Sequence, residues 1–141
     1  EQQQRYYEAL YGLDPEGRYE GMWELSGELL HAFRRRVEET GARLLVVYVP
    51  AIVQVEEEDW RSKRELHGLV GEFDPGKPSR QLARAAERHG FALLDLLPAF
   101  REAGRRQVLY YRDSHWNAAG HALAGQLVAR ALAEEEQDVR R

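Results

Sequence analysis

An aspartate two residues before a histidine can hold one side of an imidazole and leave the other side free. Asp113-Ser114-His115-Trp116-Asn117 puts that pair in a loop between a short apolar run and a helical pattern. In an extended loop, residues two apart point the same way, so the Asp113 carboxylate reaches the His115 ring. The contact fixes the tautomer, favours imidazolium and strengthens the far nitrogen as a proton acceptor. An imidazole held like this is the base half of a serine-hydrolase site. Trp116 would wall that site, and Asn117 would fix where the helix begins. A plainer role also fits: Asp113 supports a helix N-terminus, where an anion is favoured, while His115 and Trp116 pack. From spacing alone the two readings weigh about equally.

The nucleophile half is not legible. Ser26 falls inside an amphipathic helical pattern, Ser62 in a charged stretch, and Ser79 where a helix cap belongs. Ser114 lies between acid and base and should point away from their shared side. None sits on a glycine-bearing strand-to-helix turn that would expose its oxygen. A metal reading through Asp113, His115 and His121 is weaker, because no zinc spacing is matched. No glycine-rich phosphate cradle is present, so neither a metal nor a cofactor is expected. Asp95 ends a strand and is expected to cap the turn at Pro98.

The 141 residues suffice for one domain with its own core. Hydrophobic residues make up 43% and charged residues 31%, a soluble, globular balance. A net charge of -4 gives no reason to expect nucleic acid or an anionic membrane as partner. Arg34-Arg35-Arg36 and Arg105-Arg106 are short and balanced by glutamates, which reads as solvated surface. There is no cysteine and no apolar run long enough to span a membrane. The chain opens at Glu1-Gln2-Gln3-Gln4 without Met, and is expected to be a piece of a longer protein. Its compartment stays undetermined, extracytoplasmic if an upstream signal was removed.

Residues 1–20 read as a polar, tyrosine-bearing extension, with a short helix over Arg5 to Leu10 and a turn at Asp14-Pro15-Glu16-Gly17. A helix is predicted from Glu20 to Thr40, its inner face carrying Met22, Leu29, Leu30, Phe33 and Val37, with His31 opposite in solvent. Gly41 ends it. Leu44 to Val49 and Phe91 to Leu96 read as strands covered on both faces, the mark of a parallel sheet between helical layers. Residues 56–77 read as an irregular loop or lid holding Trp60, with a short helix near Trp60 to Leu69. Ser79 would cap a helix ended by Gly90, and Val108 to Tyr111 would form a short third strand. Asn117 would cap the last helix, with Gly120 allowing a close approach, and 134–141 would fray.

Leu109 to His121, with its Asp113-Ser114-His115-Trp116-Asn117-Ala118-Ala119-Gly120-His121 run, resembles the last block of the SGNH/GDSL hydrolase superfamily. The form is similar to the bacterial branch with alginate-type O-acetyltransferase relatives. Trp23 to Gly41, Leu44 to Gln54 and Phe91 to Phe100 resemble the helix, strand and next strand that precede the block. The likeness covers about residues 20–133. It implies a three-layer α/β/α sandwich with a mainly parallel sheet, flavodoxin-like, lacking its N-terminal strands. It also implies that Asp113 is the orienting acid and His115 the general base. The family's Gly-Asp-Ser nucleophile block, and the Gly and Asn of its oxyanion hole, have no counterpart here. Most members also space the acid and base by two residues, not one.

The resemblance implies a serine esterase or acyl hydrolase part whose nucleophile lies outside these residues, inactive alone. Its substrate would be a small acyl ester or an acetylated glycan. The alternatives are O-acetyl transfer to a carbohydrate and a non-catalytic binding module. Trp116, Trp60 and Gln54 are the candidate substrate-binding residues. Self-association, or a complementing chain, is expected at an open sheet edge along Leu44–Val49.

Overall fold

In a computed structural model, the fold is described for residues 2–14 and 16–139, and side-chain surroundings up to Glu135. The elements run α1 (Gln2–Tyr11), α2 (Glu20–Glu38), β1 (Leu45–Tyr48), α3 (Ile52–Val55), α4 (Glu57–Leu66), α5 (Lys77–His89), β2 (Ala92–Asp95), α6 (Leu97–Gly104) and α7 (Ala118–Val139). β1 and β2 pair in parallel, Leu45 with Ala92 through Tyr48 with Asp95. The crossover between them holds three helices.

The two strands have the expected direction but not the expected enclosure. All four residues of β1 are only half-buried, and Val49 is 56% exposed. Among the described residues the sheet has two strands, so each keeps a free edge. The third strand expected at Val108 to Tyr111 is reduced to one antiparallel bridge, Tyr110 with Trp116.

The core gathers where α6 and the segment before α7 meet the ends of the strands. Phe100, Leu96, Leu109 and Pro50 are its most deeply buried members. Gly90, at φ 68°, ends α5 as expected. Ser79 does not cap α5, which starts two residues earlier on Lys77-Pro78. Its hydroxyl instead donates to the Asp95 carboxylate, whose other oxygen accepts from the Leu97 N–H at 2.9 Å. Asp95 thus starts α6, as a residue ending a strand before a proline can.

Three segments differ from expectation. Residues 2–14 are no mere extension. Tyr7 and Tyr11 are buried against Trp60, and the Lys77 ammonium donates to the Gly12 carbonyl at 2.8 Å at the end of α1. A cation suits a helix C-terminus. The short helix expected near Trp60 is α4, which starts earlier than expected on Glu57, Glu58 and Asp59, where acids favour the dipole. The rest of 56–77 is tied to α1 through Asp74 N–H on the Tyr11 carbonyl and the Gly12–Phe73 bridge. The tail expected to fray continues α7 to Val139, and 140–141 lie outside the described residues.

The largest difference is the orientation of α2. Its inner side is Gly27, His31 and Arg34, not the apolar stripe. A Cβ on Gly27 would stand 3.2 Å from Ala85 of α5, and the His31 ring lies 5.3 Å from that of His89. Arg34 donates to the Gly90 carbonyl at 2.7 Å. Met22, Leu29 and Phe33 face solvent instead, while Leu30 and Val37 at the stripe's edge are half-buried.

Candidate active site

The segment from Leu109 to Asn117 folds into a tight hairpin. Tyr111 N–H donates to the His115 carbonyl at 2.7 Å, and Asn117 N–H to the Leu109 carbonyl at 2.9 Å. At its tip Ser114 N–H donates to the Tyr111 carbonyl at 3.0 Å. Ser114 takes φ 71°, the one positive φ of a non-glycine residue among the described residues. An L-residue there costs about 1–2 kcal/mol, and such outliers gather at functional turns.

The base of the hairpin is fixed to the sheet. The Tyr110 hydroxyl donates to the Pro50 carbonyl at 2.9 Å, just past the end of β1. Burial pushes that hydroxyl's pKa up to about 12. The hairpin therefore stands at the carboxyl end of the parallel strands, where α/β proteins build sites. Asn117 joins it to α7. Its Oδ1 accepts from the N–H groups of Ala119 and Gly120 at 2.9 and 3.0 Å, and its Nδ2 donates to the Val108 carbonyl at 2.8 Å. That is the N-cap read from the sequence.

The turn at Ser114 lays Asp113 back on His115. Asp113 Oδ1 accepts from the His115 backbone N–H at 3.2 Å, and Oδ2 lies 3.3 Å from Nδ1. The backbone N–H, and then the imidazole, hold the Asp113 carboxyl below the usual carboxylate range. With Nδ1 on the carboxylate, Nε2 is the ring nitrogen facing away from it. Both side chains stand in water, 82% exposed for His115 and 70% for Asp113. A pair this solvated can accept a proton but has no walls to exclude water from a reaction.

The other candidate residues do not gather around it. Trp116 lies over Phe100, ring centres 5.0 Å apart, and is tied into the core. Trp60 packs among Tyr7, Tyr11 and Phe73. Gln54 is buried with its amide engaged. Its Oε1 accepts from the Tyr48 hydroxyl and the Ala51 N–H, and its Nε2 donates to the Pro75 carbonyl. His121 stands edge-on to Trp116, and among the described residues no three His, Asp or Glu side chains converge as a metal would require. Among the serines, the Ser26 hydroxyl donates to the Met22 carbonyl, Ser62 is exposed on α4, and Ser79 is held by Asp95.

Sequence reading missed Tyr110 as the anchor of the hairpin and Ser114 as its left-handed turn. Tyr110 carried a signal, since a tyrosine in an apolar run needs a partner for its hydroxyl when buried. Ser114 carried none, because serine does not announce a positive φ.

Residues 15–140 match the family model of the SGNH hydrolase-like domain of the acetyltransferase AlgX. The chain belongs to that family. No curated protein and no solved structure matches it. The family match spans α2 to α7, so the hairpin with Asp113 and His115 lies inside the SGNH hydrolase-like part of the chain. Membership makes the chain one of the general hydrolase and acyltransferase kind, with the α/β architecture seen here. Among the described residues, no helix is long and apolar enough to cross a membrane.

Proposed function

We propose that this chain carries the acid–base half of an SGNH-type site acting on acyl esters, with His115 as general base and Asp113 as its orienting acid. The observation that carries the reading is the double grip of Asp113 on His115. One oxygen holds the backbone N–H and the other faces Nδ1, which aims Nε2 outward. In that role Nε2 takes the proton of a serine hydroxyl as its oxygen attacks the acyl carbon. It then returns the proton to the leaving oxygen. Asp113 stays ionised and stabilises the imidazolium between the two transfers.

The serine and the oxyanion donors come, in this reading, from residues outside the 141. Three of the four serines have a structural partner or a place away from the hairpin, and Ser114 forms its turn. The half-buried strands and the free edge of β1 support the same reading, since a sandwich is completed by strands added there. The complementing segment would pair along β1, complete the three-layer sandwich and remove water from His115. The substrate class we favour is an acetyl ester of a carbohydrate, with transfer to a sugar hydroxyl rather than to water. The acetyltransferase family supports that choice.

The exposure of His115 and Asp113 favours a second reading, a binding module without catalysis. A longer polypeptide containing these residues, treated with a fluorophosphonate probe, separates the two. Catalysis expects labelling of a serine outside the 141, lost in His115→Ala. A module expects none. The 141-residue chain alone should show no His115-dependent cleavage of p-nitrophenyl acetate. Turnover by the isolated chain that disappears in His115→Ala would contradict the assignment of the nucleophile.

A further inference from the structure

A cavity of about 340 Å³ opens where β2 runs into α6 beside the start of α5. Gly76, Pro98, Glu102 and the guanidinium groups of Arg80, Arg101 and Arg105 line it. It stands at the carboxyl end of β2, the end of a parallel sheet where α/β proteins hold ligands. Arg101 is fixed there. Its Nε donates to the Gln54 carbonyl at 2.8 Å, and among the described residues its two terminal nitrogens have no hydrogen-bond partner. A guanidinium pinned through Nε keeps the edge made by those two nitrogens for a ligand.

The charges around the cavity do not balance. Asp74 takes Arg80 on one oxygen and the Gly76 N–H at 2.8 Å on the other. Glu102 takes both Arg105, at 3.1 Å, and Arg106, at 2.6 Å. Asp95 is occupied by the Ser79 hydroxyl and the Leu97 N–H. Two carboxylates thus serve Arg80, Arg105 and Arg106, and among the described residues Arg101 has no ion pair. A Cβ on Gly76 would stand 2.9 Å from Nη1 of Arg80 and 3.8 Å from Nη1 of Arg101, with Asp74 Oδ1 at 3.2 Å. The bare backbone therefore lets two guanidinium groups close on one spot, where like charges repel unless an anion comes between them. Arginine forks match the oxygens of phosphate-like groups two at a time, and three guanidinium groups offer more donors than the two oxygens of a carboxylate take. We propose that this cavity binds a tetrahedral oxyanion, a phosphate or sulfate group, with Arg101 as its fixed fork and Arg80 and Arg105 as further donors. The site uses neither Asp113 nor His115 and does not depend on the chemistry proposed for them.

Titration of the 141-residue chain with sodium phosphate at fixed ionic strength, followed by the NMR signals of backbone amides and arginine Nε–H groups, tests it. Saturable shifts are expected, concentrated at Gly76, Ser79 and the Arg101 Nε–H. Sulfate should compete, and acetate should not. Glycerol 3-phosphate separates the sources of the group: tighter binding than inorganic phosphate marks a phosphate ester as ligand, and weaker binding marks the free ion. Arg101→Gln should weaken phosphate about tenfold or more, as the loss of charge-assisted hydrogen bonds does. Glu102→Gln removes the carboxylate that lines the cavity and should tighten binding severalfold. Glu102 is exposed, so this variant tests the site even where Arg101→Gln loses the tie to α3 and unfolds. Shifts that grow without saturating, equal binding of acetate, or phosphate binding unchanged by Glu102→Gln or by a folded Arg101→Gln would overturn the proposal.

Discussion

The Leu109 carbonyl oxygen lies 2.5 Å from where a Cβ on residue 120 would stand, so Gly120 alone lets the first turn of α7 close on the hairpin. Trp116 crowds the same point at 3.1 Å. Alanine at 120 would gain about 1 kcal/mol of helix propensity. It would also force the backbone at Leu109 and Asn117 apart, an overpacking that costs typically 1–3 kcal/mol. The obstacle is backbone, which yields little, so the clash wins. Gly120→Ala is expected to lower stability by about 1–2 kcal/mol in urea unfolding. Gly125→Ala, whose Cβ meets nothing within 4 Å, should be neutral or stabilising.

The Asp113 carboxyl is expected to titrate below an ordinary aspartate in a carboxyl-resolved NMR titration. The His115 backbone N–H comes first among the causes, and the imidazole follows. His115→Ala should therefore keep part of the lowering. Because the folded pKa is the depressed one, the grip on His115 is fully present above about pH 4 and is lost as pH falls through the folded value. A midpoint at or above the ordinary value would show that the hairpin does not hold its acid in this way.

Tyr110 makes the opposite prediction at alkaline pH. Its hydroxyl is raised from 10.0 to about 12 by burial, and it donates to the Pro50 carbonyl. A raised folded pKa gives a contribution fully present below pH 10 and lost as pH climbs towards 12. Stability should therefore fall across that window. Tyr110→Phe should cost about 1 kcal/mol at neutral pH and make the alkaline loss shallower. Chemical denaturation at stepped pH would check both, and equal alkaline slopes in the two proteins would refute the role given to Tyr110.

Parts of this fold were legible because their signals are local. Asn117 was readable as a cap because capping needs only its own side chain and the next few N–H groups. Gly90 was readable as a stop for the same reason, and the apolar runs at Leu44 and Phe91 as strands because β-branched and leucine stretches carry that preference. The contact between Asp113 and His115 depends on residues two apart and a turn.

Other features depended on partners far along the chain. The periodicity of α2 correctly announced a helix, yet it named the wrong side as inner. Gly27 and His31 found Ala85 and His89 more than fifty residues away, and the apolar stripe found nothing. Ser79 looked like a cap until Asp95 took its hydroxyl. Trp60 and Gln54 looked available until Tyr7, Tyr11, Tyr48 and Pro75 closed on them.

The order of residues thus determined most of the elements, several of their ends and the closeness of Asp113 to His115, because each rests on backbone preference and near neighbours. Only the tertiary structure decided which side of each element is covered. Burial depends on the surface that arrives from elsewhere in the chain, and no short stretch encodes that surface.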